Sequence, residues 1–184
     1  MMKYKYNMNP LCVTWAPHIY TDIGRKNLDN FINIGGFDHL LGTRSGIIHR
    51  KLSKLAFELV GDAWQPFTYG QKAWAFHIAT RFGVKLIFYG ENEAEYGNPI
   101  HDTESAKRDW KYFTYTNSSK SYIGGVSIDE LQSDFGLKPV DLEAYLPIDP
   151  QIVQDKGIQV HYLGYYIPWH PQGAYYYAIE NGGF

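Results

Sequence analysis

The run Gly83-Val84-Lys85-Leu86-Ile87-Phe88-Tyr89-Gly90 constrains this chain more than any other stretch. It is short, apolar, rich in β-branched and aromatic residues, and bounded by glycine at both ends. That is the signature of a buried parallel strand. Glu91, Asn92, Glu93, Glu95 and Asn98 follow it at once. Ligands of open α/β sheets bind just beyond the carboxyl ends of the strands. The position therefore makes Glu91 and Asn92 candidates for lining a ligand site, against the alternative of a solvated acidic loop.

The residues before this run alternate between strand and helix signals. Pro10 to Trp15 reads as a strand and Asp22 to Asn33 as a helix stopped by Gly35-Gly36. Phe37 to Thr43 reads as a second strand. Ile48, Leu52, Leu55 and Leu59 then form an amphipathic face. Trp64 to Phe67 reads as a loop, and Gln71 to Phe82 as the helix that delivers the chain into the opening run. Such alternation predicts an α/β fold, a parallel sheet with helices on both faces. Beyond Pro99 the pattern changes. Ser127-Ile128-Asp129-Glu130 is a capping box, short helices are expected over 139–145 and 147–156, and Ile158 to Tyr166 returns as a strand. Pro171 opens a last helix reaching Ile179.

A chain of 184 residues can bury a substantial core. Its net charge of −2 gives no footprint for nucleic acid or an anionic membrane. Cys12 is the only cysteine, so neither a disulfide framework nor a cysteine-based zinc site is expected. No secretory signal is evident, and the uncharged stretch 157–179 is interrupted by His161, Pro168, His170, Pro171 and Gln172, so no membrane span is expected. These features point to the cytoplasm.

Motifs for covalent catalysis are missing: there is no Gly-x-Ser-x-Gly, and Cys12 sits inside a strand. The seven histidines lack ligand spacing and are expected to be surface or hydrogen-bonded groups, with no metal site among them. Glu91, Glu93 and Glu95, spaced by two, suit a hydrated Mg²⁺ shared with phosphate oxygens. No glycine pair joins a strand to a helix in the manner of a phosphate loop. Spacing alone thus gives nucleotide binding no support.

Four blocks carry a resemblance. They are Asn9 to Gly24, Phe88 to Pro99, His161-Tyr162-Leu163-Gly164-Tyr165-Tyr166, and Tyr175 to Asn181. Together they resemble the N-acetyl sugar amidotransferases of lipopolysaccharide and surface-polysaccharide biosynthesis, within the PP-loop ATP pyrophosphatase superfamily. The resemblance spans nearly the whole chain, from about Tyr4 to Phe184. It implies ATP with Mg²⁺ as cofactors, a nucleotide-linked N-acetyl sugar as substrate, and ammonia from a separate glutaminase with a channel-forming partner. The implied product is an acetamidine. Thr14 and Trp15 match the place where the superfamily holds adenine, and Thr43 and Arg44 are implied to close that pocket. Glu91, Asn92 and Glu93 match the catalytic loop facing phosphates and acceptor. Glu95, Tyr165 and Trp169 are the implied substrate contacts, with packing the alternative for the two rings.

The resemblance also has gaps. The family's Ser-Gly-Gly-x-Asp-Ser loop does not occur in these residues, nor does its amino-terminal cysteine segment. The expectation is a chain shortened at both ends, with a possible complementing N-terminal fragment. The implied strand order, 3-2-1-4-5, places the missing strand between Leu11–Trp15 and Val84–Tyr89, leaving apolar edges on both. Residues 1–100 are read as a partial nucleotide-binding core, 101–157 as a helical and loop insertion, and 158–184 as the returning strand and final helix of the same domain. Of the remaining readings, a non-catalytic remnant or accessory subunit binding a sugar or partner stays open. A tRNA-modifying enzyme is disfavoured by the missing basic stripe.

Overall fold

A computed structural model describes residues 1–90, 105–108, 121–168 and 170–184. Glu91, Asn92, Glu93, Glu95 and Trp169 lie outside the described residues. In chain order the helices and strands are α1 (Met2–Tyr6), β1 (Leu11–Trp15), α2 (Asp22–Asn33), β2 (Asp38–Gly42), α3 (Gly46–Val60), α4 (Gln65–Phe82), β3 (Leu86–Tyr89), β4 (Lys107–Arg108), β5 (Tyr122–Ile123), β6 (Val126–Ser127), α5 (Ile128–Ser133), α6 (Pro139–Leu142), α7 (Pro150–Asp155), β7 (Gln159–Tyr162) and α8 (Pro171–Gly182). They form a mixed α/β arrangement with small parallel sheets, divided into two compact units. One comprises Met1–Gly42 with Ile167–Phe184, the other Thr43–Tyr166. Among the described residues no helix is long and apolar enough to cross a membrane.

In the first unit β1 and β2 pair in parallel, in register from Leu11 opposite Asp38 to Trp15 opposite Gly42. The ladder continues where Ala16 N–H donates to the Gly42 carbonyl at 3.0 Å. A parallel pair needs a crossover, and α2 supplies it. Thr21 caps this helix by accepting from Gly24 N–H at 3.0 Å. Its end is held by the Tyr4 hydroxyl, which donates to the Gly35 carbonyl at 2.7 Å, and by Phe31 stacked on Phe37. Lys3 donates to the Gly36 carbonyl in the same turn. At the other end of the chain, the Asn30 amide donates to the Gly183 carbonyl at 2.5 Å.

The second unit has the deeper core. Ile87 of β3 and Val160 of β7 pair in parallel register and join Phe76, Ala79, Val153 and Ile158 in one buried cluster. Helix α3 starts at Ser45, whose hydroxyl accepts from Ile48 N–H, and buries His49, Leu52 and Ala56. The buried His49 Nδ1 lies 3.0 Å from the Tyr145 hydroxyl, with the two rings stacked. His77 Nε2 lies 2.8 Å from the Leu146 carbonyl, so both imidazoles tie a helix to the segment after α6. The Ser127–Glu130 capping box is present in α5: Glu130 accepts from both the hydroxyl and the backbone N–H of Ser127, which holds its carboxyl below its ordinary pKa.

Two elements differ from the sequence expectation. Helix α4 begins at Gln65 rather than after the Trp64–Phe67 stretch, because Pro66 sits in its first turn, where no N–H is required. The final strand stops at Tyr162 instead of Tyr166, since Leu163–Tyr165 curls into a 3₁₀ turn closed by Tyr166 N–H on the Leu163 carbonyl. The β5–β6 hairpin, invisible to periodicity, turns on Gly124 and Gly125 with φ of +65° and +79°.

Gly124 also packs closely. A Cβ there would stand 2.9 Å from the backbone nitrogen of Ala56, whereas one on Gly136, at the same φ of +65°, would meet open space. Gly136→Ala is expected to cost only the left-handed penalty, about 1–2 kcal/mol. Gly124→Ala adds an overpacking cost of about 1–3 kcal/mol. Urea unfolding of the two variants checks this, and equal destabilisation would contradict the close approach.

Candidate functional site

The carboxyl end of β1 is the first place where side chains converge. Thr14 points its hydroxyl at His39 of the neighbouring strand, with Oγ1 2.9 Å from Nε2. Thr14, Gly24, Asn27, Leu28, Phe31 and Phe184 line an open groove of about 330 Å³ there. Its walls are largely apolar, with the Asn27 amide and the Gly24 backbone as polar features. Trp15, one residue on, is only 7% exposed and belongs to the core, so any contact it offers a ligand comes from its backbone.

Electrostatics at this end favour neutral side chains. Burial lowers the His39 pKa below its ordinary 6.5, keeping the ring uncharged. Burial likewise raises the Cys12 thiol, an effect that Lys3 opposes, so Cys12 is no nucleophile.

Thr43 and Arg44 begin the second unit. Thr43 is exposed. Arg44 lies with its guanidinium 5.3 Å from the centre of the Phe67 ring, a cation–π placement. Its charge also acts on Tyr145, whose hydroxyl burial nonetheless pushes up to about 12. Arg44 is thus held by the walls of its own unit.

The carboxyl ends of β3 and β7 form the third neighbourhood. Tyr89 stacks on Tyr162 at 5.6 Å and donates its hydroxyl to the Lys72 carbonyl at 3.3 Å. On the opposite face Phe88, His161 and Tyr166 come together, with His161 Nδ1 2.5 Å from the Tyr166 hydroxyl. The expected Glu91, Asn92 and Glu93 follow directly on β3 but lie outside the described residues, as do Glu95 and Trp169. Tyr165 is 37% exposed on the 3₁₀ turn. Its neighbour Tyr166, which sequence reading did not single out as a site residue, supplies the ring of that cluster.

Five of the seven histidines are shown hydrogen-bonded: His39, His49, His77 and His161 as described, and His170, which accepts from Gly173 N–H at the start of α8. Among the described residues no group of three or more His, Cys, Asp or Glu could hold a metal ion. No family model matches the chain, and no curated protein matches it either.

The lowered His39 pKa has a consequence for stability. Its folded value lies below the unfolded one, so the contribution is complete above pH 6.5 and is lost as pH falls from 6.5 through the lower folded value. NMR titration of the His39 ring should give a midpoint below 6.5. His39→Gln should flatten the loss of stability between about pH 7 and 5. A midpoint at or above the ordinary value would contradict the burial argument.

Proposed function

We propose that the chain is the strand-end portion of an ATP-dependent amidotransferase, which converts the acetamido group of a nucleotide-linked sugar to acetamidino in surface-polysaccharide biosynthesis. The observation that supports this reading best is the pairing of the strands. The order implied by the resemblance contains β2 beside β1 and β3 beside β7, all parallel, and both pairs occur. An open groove lies at Thr14, at the end of the strand where the resemblance puts adenine.

In the proposed reaction the amide oxygen attacks the α-phosphorus of ATP, and the bond to pyrophosphate breaks. Ammonia then attacks the activated carbon. The carbon–oxygen bond breaks with its electron pair leaving on AMP, and the nitrogen sheds its surplus proton. Adenylation is needed because an amide oxygen is a poor leaving group, whereas a phosphate ester departs readily. Such chemistry depends on positioning and on charge stabilisation around phosphate. In this reading the resemblance assigns Thr14 and Trp15 to the adenine, Thr43 and Arg44 to closing that pocket, and Glu91, Asn92 and Glu93 to the loop that would face the phosphates and the acceptor. These 184 residues include no Ser-Gly-Gly-x-Asp-Ser loop, so in this reading the triphosphate grip lies outside them.

The reading predicts no ATP–pyrophosphate exchange by the 184-residue chain and exchange once a fragment carrying the loop is added. With a nucleotide-linked N-acetyl sugar and ammonium present, the complemented protein should release AMP. Glu91→Ala should then lower the rate by about 100-fold or more. Exchange by the chain alone, or wild-type turnover in Glu91→Ala, would contradict the assignment.

A further inference from the structure

Among the described residues, the three-stranded sheet of the second unit packs one face against a buried cluster. Ile87, Val160 and Tyr162 point into the core, with Tyr89 packed beside them. Strand alternation sends Leu86, Phe88, Gln159 and His161 to the other face. That face is exposed at its edges, Leu86 by 42% and Tyr166 by 55%.

The residues that cross this face form an ordered row. Phe88 of β3 stands beside His161 of β7, and Lys107 of β4 stands opposite His161 on its other side. Directly opposed residues of an antiparallel pair hold their Cβ atoms about 4.5–5.5 Å apart. Lys107 and His161 therefore carry their Cβ atoms side by side on the same face of the sheet. Tyr166 completes the group, its ring edge-on to Phe88 at 5.8 Å and its hydroxyl fixing His161 through Nδ1. Among the described residues His161 Nε2 makes a long 3.5 Å approach to Gln159 Oε1. Leu86, Phe88, Gln159, His161 and Lys107 bring no carboxylate to the row.

We infer that this row is a binding site for a phosphorylated sugar, with the phosphate between Lys107 Nζ and His161 Nε2 and the C–H face of the sugar ring against Phe88 and Tyr166. A lysine ammonium and an imidazole N–H are two adjacent donors suited to phosphate oxygens. Two rings set edge-to-face make an apolar corner for a pyranose. The site lies at the carboxyl ends of β3 and β7, where α/β sheets receive ligands. The sugar's identity rests on the proposed function; the anion and ring chemistry rests on this row alone.

Calorimetry in ATP-free buffer tests it, using uridine diphosphate N-acetylglucosamine, inorganic pyrophosphate and free N-acetylglucosamine as probes. The nucleotide sugar should bind the wild-type chain, and the neutral sugar should bind much more weakly. Lys107→Gln should weaken both the nucleotide sugar and pyrophosphate by about tenfold. Phe88→Leu should weaken the nucleotide sugar alone, and Tyr166→Phe, which keeps the ring and frees His161, should act mainly on pyrophosphate. Loss of fold in Phe88→Leu would show in its NMR spectrum, and Lys107→Gln then decides, since Lys107 is exposed. No nucleotide-sugar binding, or binding unchanged in Lys107→Gln, overturns the site. Binding as inferred without ATP chemistry in the complemented protein supports the site and overturns only the amidotransferase reading. ATP-dependent turnover with unchanged KM for the sugar in a Lys107→Gln, Phe88→Leu double variant does the reverse.

Discussion

A parallel β-strand is complete only when both of its edges are hydrogen-bonded and both of its faces are covered, and the two leading strands of this chain meet half of that requirement. Among the described residues β1 pairs with β2 and β3 pairs with β7, each along a single edge. Two-stranded parallel pairing is weak on its own, because slanted ladders bind less well per residue and isolated pairs bury little. The rest of each unit compensates. In the first, α2 with its Thr21 cap and the Phe31–Phe37 stack braces the pair. In the second, α4 and α7 close one face of β3 and β7 around Phe76, Val153 and Val160.

Polar groups inside the second unit are arranged as ties rather than reactive centres. His49 with Tyr145 and His77 with the Leu146 carbonyl fasten α3 and α4 to the segment that follows α6, and Arg81 pairs with Glu143 nearby at 2.9 Å. The last pair is exposed and adds little to stability. The buried imidazole contact matters more, since removing either partner would strand a polar atom away from water.

Much of this was legible in the sequence. The spacing of Ile48, Leu52, Leu55 and Leu59, the capping box at Ser127 and the apolar run into Tyr89 each specify their element by local chemistry. Helix α4 was read too short because Pro66 looks like a breaker unless the start of the helix is already known. The β5–β6 hairpin carries its signal in two glycines, and its reason is the approach to Ala56, which only the folded chain reveals. The groove at Thr14 was half visible: the strand end was identified, but Asn27 and Phe31 reach it through the crossover geometry of α2. The Phe88–His161–Tyr166 cluster depends on a strand pairing between residues far apart in sequence, and such pairing leaves no local trace.

The most direct measurement of the one-edged strands is residue-resolved amide hydrogen exchange. The bond from Ala16 N–H to the Gly42 carbonyl fixes which amides of β1 face β2, and period-two alternation then turns Val13 toward the other edge. The bond from Gln159 N–H to the Lys85 carbonyl does the same for β3, turning Leu86 and Phe88 outward. Fast exchange at Val13, Leu86 and Phe88 beside slower exchange at Cys12 and Ile87, with the fast set becoming protected when a complementing fragment is added, is the predicted result. Uniformly slow exchange along both strands in the chain alone would contradict it.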